Sequence, residues 1–226
     1  MKNERKKNIL HTIINEYIKT ANPVSSGLLA SKYNLNLSSA TIRNEMMALE
    51  EEGYIYQPHT SAGRVPSQLA YLFLVEELKS KLVKLKSSDK DKIDSSILAK
   101  DLRQAAKSIA EISNNAVFWA FHKNDLYYTG LSNLFSQPEF KDNEVVCDVS
   151  SVIDRMEEII DKIFDGLENK SHVKIGSNNP FGPFLGTVIL KYKHNNKSGL
   201  VGILGPMRMD YLKNLSLLEY INKKFK

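Results

Sequence analysis

Between residues 38 and 67 the chain reads SSATIRNEMMALEEEGYIYQPHTSAGRVPS, and its apolar positions change period partway along. Ile42, Met46 and Leu49 recur at four and three residues, which predicts one buried stripe of a helix. At 3.6 residues per turn the opposite side carries Ala40, Arg43, Asn44 and Met47, with Thr41 on its flank. Ser38 or Ser39 is placed to cap the first turn, and Gly53 to follow the last. The period then shortens. Tyr54-Ile55-Tyr56 is strand-like, His59-Thr60-Ser61-Ala62-Gly63 is a compact turn, and Arg64-Val65 returns beside the first strand.

Upstream, Ile9, Ile13 (or Ile14), Tyr17 and Ile18 predict a helix over 4–19, stopped by Asn22-Pro23. Ser25 or Ser26 caps a second helix through Leu28, Leu29 and Tyr33, and Asn34 and Asn36 suit the turn into the third. Three short helices followed by a ribbon give a winged helix-turn-helix at 1–67, with 25–33 and 38–52 as the helix pair. Ser67 caps a further helix running to Leu85, and the polar run at 86–96 reads as a linker or helix break, so 68–97 is a helical linker. Leu98, Leu102, Ala105, Ile109, Ile112 and Ala116 form a seam that either zips two subunits together or lies on its own sheet.

Strands follow at 117–121 and 126–129 around a turn at Lys123-Asn124-Asp125, with one more expected at 144–149. An amphipathic helix is expected at 152–167, and strands near 172–176, 186–193 and 198–204. The last two are joined through His194-Asn195-Asn196-Lys197, and a helix closes the chain at 209–223. The predicted fold class is α+β, with the winged helix followed by an α+β domain at 98–226 built on a mostly antiparallel sheet.

The polar side of the third helix admits two readings, an ordinary wet face or a DNA-reading one. Arg pairs with guanine in the major groove, Asn with adenine, and Ala or Thr methyl groups touch thymine. A hairpin placed after such a helix favours the second reading. The candidate DNA contacts are Ser39, Thr41, Arg43, Asn44 and Met47 on the helix and His59, Thr60, Ser61 and Arg64 on the ribbon. Arg64 and the tip hydroxyls suit phosphate or minor-groove contacts, whereas His59 taken alone reads as a turn histidine. The N-terminal cations Lys2, Arg5, Lys6 and Lys7 sit either on a phosphate or in solvent.

Composition changes this picture little. The 226 residues carry a net charge of +5, but residues 1–75 hold eight Lys/Arg against six Asp/Glu, so charge alone does not argue for DNA. The single Cys147 excludes an intrachain disulfide and is expected to be a small buried residue of a strand. The five histidines (11, 59, 122, 172, 194) lack metal-ligand spacing, and Gly199, Gly202 and Gly205 lack phosphate-loop context, so neither a metal, a cofactor nor an enzyme is expected. The charged N-terminus and the absence of a bilayer-length apolar run predict a cytoplasmic protein with no membrane partner.

At residues 38–67 the chain resembles the heat-inducible transcription repressor family HrcA, and two further stretches resemble it too: GLSNLFSQPEF at 130–140, and GLVGILGPMRMDY at 199–211 preceded by IGSNNP. The resemblance implies a homodimeric repressor of bacterial chaperone operons. Its partners would be double-stranded DNA, in the form of the inverted-repeat operator CIRCE, and the GroEL chaperonin. It also implies that the C-terminal domain is GAF-like. Longer members carry an inserted dimerisation subdomain between the counterparts of Phe121-His122 and Tyr127, where this chain has only a tight turn. Two alternatives remain: a metabolite-responsive winged-helix regulator, and a protein-docking module that does not bind DNA.

Overall fold

The computed structural model describes residues 3–122, 125–194 and 197–225; the turn residues Lys123, Asn124, Asn195 and Asn196 and the N-terminal Lys2 lie outside them. The chain forms two compact units, Met1–Glu77 and Leu78–Lys226.

In the first unit, α1 spans Glu4–Thr20, α2 Ser26–Lys32 and α3 Ser39–Glu51, followed by a hairpin of β1 (Ile55–Tyr56) and β2 (Val65–Pro66) and by α4 (Gln68–Leu78). Each of the first three helices begins at a side-chain acceptor for an otherwise orphaned amide. Asn3 Oδ1 accepts from Arg5 N–H at 3.0 Å, Ser25 Oγ from Leu28 N–H at 3.1 Å, and Ser38 Oγ from Thr41 N–H at 3.1 Å. Ile9, Leu10 and Ile13 of α1, Leu29 of α2 and Ile42 and Leu49 of α3 are all fully buried, and α3 packs against both α1 and α2. The hairpin base is fixed to α4 by an edge-on contact of Tyr54 with Phe73, ring centres 5.6 Å apart. Ser67 turns its hydroxyl to the Gly53 carbonyl at 2.7 Å, and α4 ends at Leu78 instead of running to Leu85.

One carboxylate is buried in this unit. Glu16, 2% exposed, takes Lys32 Nζ on both oxygens, at 2.7 and 2.8 Å, and accepts from the Tyr33 hydroxyl. These bonds outweigh burial and hold its carboxyl below the ordinary value, while the same contact pushes the Tyr33 phenol up to about 12.

The second unit is α+β. It contains α5 (Ser87–Leu98), α6 (Leu102–Ser113), β3 (Ala116–His122), β4 (Asp125–Thr129), α7 (Leu131–Phe135), α8 (Asn143–Asp154), α9 (Met156–Phe164), β5 (Ser171–Ile175), β6 (Leu185–His194), β7 (Lys197–Pro206) and α10 (Tyr211–Phe225). The strands form one antiparallel sheet in the order β4-β3-β7-β6-β5. Phe118, Leu185, Ile189, Leu200 and Leu204 line one face and pack against Val149, Val152, Met156 and Ile160 of α8 and α9. A methyl group on Gly202 would lie 2.2 Å from the Phe118 ring, so this position has to lack a side chain. On the other face, under α6 and α10, Trp119 Nε1 donates to the Tyr192 hydroxyl at 2.8 Å and the Phe225 ring packs on Tyr192.

Several expectations are corrected here. The run at 86–96 is helix α5, because its polar groups have partners: Asp94 accepts from the Tyr220 hydroxyl at 2.9 Å and pairs with Lys224 at 2.8 Å, while Ile93 is fully buried. Residues 144–149 are helical; Val145, Val149, Val152 and Met156 keep the helical period and face the sheet, which leaves Cys147 exposed on the outer side. The amphipathic stretch at 152–167 is the end of α8 and then α9, broken at Arg155. The seam from Leu98 is interrupted between α5 and α6, with Leu98 left 83% exposed, and α6 lies on the sheet.

Replacing Lys32 with Met removes two of the three hydrogen bonds that Glu16 accepts from Lys32 and Tyr33. The folded unit is expected to lose roughly 1–3 kcal/mol at neutral pH. A carboxyl held low contributes stability above its ordinary value of 4.5 and loses that contribution as pH falls through the lowered value. The deficit measured by urea unfolding should therefore shrink between about pH 7 and pH 3, and an equal deficit at both would contradict this account.

Candidate nucleic-acid interface

The roll of α3 is set by its buried stripe. Ile42 and Leu49 are fully buried and Met46 nearly so, which turns Ala40, Arg43, Asn44 and Met47 outward, all exposed. Ser38, not Ser39, caps the helix and also bonds the Thr41 hydroxyl at 2.9 Å. Ser39, half-buried, lies against α2 with its hydroxyl 3.3 Å from that of Ser26. The helix stops at Gly53, whose φ of +78° is disfavoured for other residues. Gly53 N–H donates to the Glu50 carbonyl and Tyr54 N–H to that of Leu49, both at 2.9 Å, the paired bonds of a Schellman stop. Among the described residues the side chains of Arg43 and Asn44 have no hydrogen-bond or ion-pair partner.

Three of the four acids between Glu45 and Glu52 are matched by a cation from another element, and among the described residues the exposed Glu51 is not. Glu45 pairs with Arg5 at 3.6 Å, Glu52 with Lys6 at 2.6 Å, and Glu50 with Arg64 at 2.8 Å. The N-terminal cations Arg5, Lys6 and Lys7 thus have protein partners, since Lys7 also pairs with Glu77 at 2.5 Å. Arg64 is placed differently from a free cation of the tip. Its side chain is 20% exposed and donates through Nε and Nη2 to one oxygen of Glu50, tying the hairpin to α3.

A second tie is made by backbone. Val24 and Arg64 exchange two hydrogen bonds, Val24 N–H to Arg64 at 2.9 Å and Arg64 N–H to Val24 at 2.8 Å, so Val24 adds a one-residue third strand to the hairpin. Gly63 makes this approach possible, because a Cβ there would come within 2.5–2.6 Å of the Val24 carbonyl carbon and oxygen. The tip is braced from inside by Gln57, whose amide donates to the carbonyls of Thr60 at 2.9 Å and Ala62 at 3.0 Å. His59, Thr60 and Ser61 stand exposed beyond it.

Helix and hairpin thus enclose a groove of about 370 Å³, with Ser25, Ser26, Arg43, Gln57 and Thr60 on its walls. Of the sequence-predicted residues, Arg43, Asn44 and Met47 share the outer face of α3. His59, Thr60 and Ser61 share the tip, Ser39 and Thr41 are half-buried at the start of the helix, and Arg64 is the strut between the two. Sequence reading missed Val24, Gln57 and Glu50. The available signal was indirect: a β-branched residue after Pro23, an amide at the hairpin shoulder, and an acid fourteen residues before an arginine. Among the described residues no group of three His, Cys, Asp or Glu side chains is placed to hold a metal ion, and no helix is long and apolar enough to cross a membrane.

Residues 35–214 match the family described as HrcA protein C terminal domain. A heat-inducible transcription repressor HrcA of Carboxydothermus hydrogenoformans is 29% identical over 331 positions covering 99% of this chain and 97% of the relative. With 226 residues in this chain, a large part of that relative has no counterpart here. A repressor of the same name from Desulforudis audaxviator is 61% identical over 75 residues, 33% of this chain and 22% of the relative. A crystal structure described as that of a hypothetical protein superposes with a TM-score of 0.82 at 20% identity, covering 99% of this chain and 97% of the other, which establishes a shared fold.

Replacing Gly63 with Ala should push the hairpin off Val24. The amides of Val24 and Arg64 are then expected to lose hydrogen-exchange protection while those of α1 keep theirs. Retained protection at Val24 and Arg64 would show that the close approach is not what holds the hairpin.

Proposed function

We propose, from the premise that this chain belongs to the HrcA family, that it is a transcriptional repressor of heat-shock genes that reads an inverted-repeat operator with α3. The observation that carries the reading is the unpaired Arg43 and Asn44 on the exposed face of a helix whose roll is fixed from behind and whose side is flanked by a braced hairpin. In this reading the first unit is a winged helix-turn-helix, α2 and α3 being the helix pair and β1–β2 the wing. Domain limits at 1–67 and 98–226, with a helical connection between, belong to the same proposal.

Arg43 and Asn44 would pair with base edges in the major groove, and Met47 and Thr41 would contact thymine methyl groups. Thr60, Ser61 and His59 would meet the flanking backbone or minor groove. Ser39 orients the helix start, and Arg64 holds the wing at its angle through Glu50. Two copies on one duplex match the two-fold symmetry of an inverted repeat, the CIRCE operator of the family resemblance. Control by a GroEL-type chaperonin, a GAF-like second unit and a cytoplasmic location complete the proposal on the strength of that resemblance.

A specific observation also supports a small-ligand role for the second unit. A cleft of about 340 Å³ between α8 and the 181–185 loop is lined by Val149, Val152, Phe181 and Phe184, with Arg155 on its wall. A large, specific thermal shift with one member of a metabolite panel would favour it over chaperonin control.

Arg43→Ala and Asn44→Ala are each expected to lose roughly 1–3 kcal/mol of discrimination between operator and scrambled duplex in gel-shift titrations. Unchanged discrimination in both would remove α3 as the reading element. If Arg64 acts through Glu50, the double variant Glu50→Ala/Arg64→Ala should bind no worse than the weaker single variant. Additive losses would instead make Arg64 an independent phosphate contact.

A further inference from the structure

In the five-stranded sheet, β4 and β5 each have one side that no other strand of the described residues pairs with. The two edges differ in chemistry. β5 reads SHVKI, and the chain just before it folds back across its start: Lys170 N–H donates to the Glu168 carbonyl at 2.7 Å, and the His172 ring bonds the same carbonyl at 2.9 Å. Lysine and histidine on an edge strand are guards against further pairing. A two-fold pairing centred on Val173 would also set Lys174 of each copy opposite the other copy's His172.

β4 reads DLYYT and, after Asp125, carries no charge. Leu126 and Tyr127 are half-buried and Tyr128 is 44% exposed. An unguarded strand edge of this kind presents a row of backbone donors and acceptors to any matching strand.

We infer that β4 is the edge through which a second copy of this chain docks, its β4 running antiparallel about a two-fold axis at Tyr127. This rests on the dimeric repressor reading above, and it names the surface that reading leaves open. A two-fold axis normal to the sheet makes the two strands antiparallel, so both sheets join into one. The register is self-complementary. Leu126 faces the partner's Tyr128, an aliphatic–aromatic pair of the stabilising kind, and Asp125 faces the partner's Thr129, so the two carboxylates lie at opposite ends of the contact. A five-residue strand pairing is a small interface by the standards of obligate dimers. Association is then weak in free solution and completed on palindromic DNA, where the first bound copy raises the effective concentration of the second.

Tyr127 is unsuitable for the first test, because its ring lies under the guanidinium of Arg103 of α6 at 5.5 Å and supports the monomer. Tyr128 is exposed, so Tyr128→Glu in the full chain should leave the unfolding temperature unchanged. Its self-association constant in sedimentation equilibrium should fall by about tenfold or more, on the ordinary cost of charging a cross-strand pair, while binding to a single half-site duplex stays the same. Lys174→Glu on β5 should leave self-association as it was. Wild-type association in the Tyr128→Glu variant, or a loss in Lys174→Glu instead, would overturn the β4 assignment and leave the dimeric reading standing. A wild-type chain that stays monomeric both in solution and on the inverted repeat would overturn both. A cross-linking arm covers the case in which Tyr128→Glu does not fold: in a Cys147→Ser background, a mixture of the Leu126→Cys and Tyr128→Cys variants should form a disulfide-linked dimer under mild oxidation and Val173→Cys should not. Absence of that link in a chain that sediments as a dimer would equally reject the β4 axis.

Discussion

Everything proposed for the first unit depends on the burial of one stripe of α3. Fully burying side chains such as Ile42 and Leu49 contributes about 1.5–3 kcal/mol each. A surface ion pair such as Arg5–Glu45 contributes about 0–1 kcal/mol. The stripe therefore decides the roll of the helix, and the ion pairs follow from it. With that roll fixed, Arg43 and Asn44 have nowhere to point but outward. The matched acids then have a further effect: Glu45, Glu50 and Glu52 would repel a phosphate backbone if bare, and each is opposed by a cation of another element. The proposed reading helix thus presents three of these four acids already neutralised, with Glu51 the exception.

The hairpin is the second half of that arrangement, and it is held by two unlike ties. Arg64 to Glu50 is partly exposed and replaceable, whereas the backbone exchange between Val24 and Arg64 works only because Gly63 has no side chain. Glu16 supports the same unit from behind, locking α1 to the end of α2 through Lys32 and Tyr33. The surface proposed to meet DNA is built on elements anchored from below, and among the described residues its Arg43 and Asn44 side chains are left without partners.

How much of this was legible in the sequence depended on whether the deciding contact was local. The α3 stripe, the cap at Ser38 or Ser39, the stop at Gly53 and the hairpin bounds all follow from spacing within one element, and the described structure has them. Arg64 shows the limit. Its type and place suit a phosphate contact, yet its carboxylate partner lies one element away and only the folded chain brings them together. The same holds at Val24, which looks like the residue after a helix stop and becomes a strand partner. In the second unit, a short apolar run at 144–149 fits both periods, and the sheet that accepts Val149 and Val152 selects the helix. The polar stretch at 86–96 reads as a break because its partners, Tyr220 and Lys224, stand more than a hundred residues away.

The most direct test is to follow backbone amide signals by NMR while the full chain is titrated with a duplex carrying one operator half-site. Shifts confined to residues of α3 from Ser39 to Met47 and of the hairpin from Gln57 to Arg64, with the sheet of the second unit unmoved, are what the account predicts. Binding that leaves those amides in place and moves another surface would contradict it.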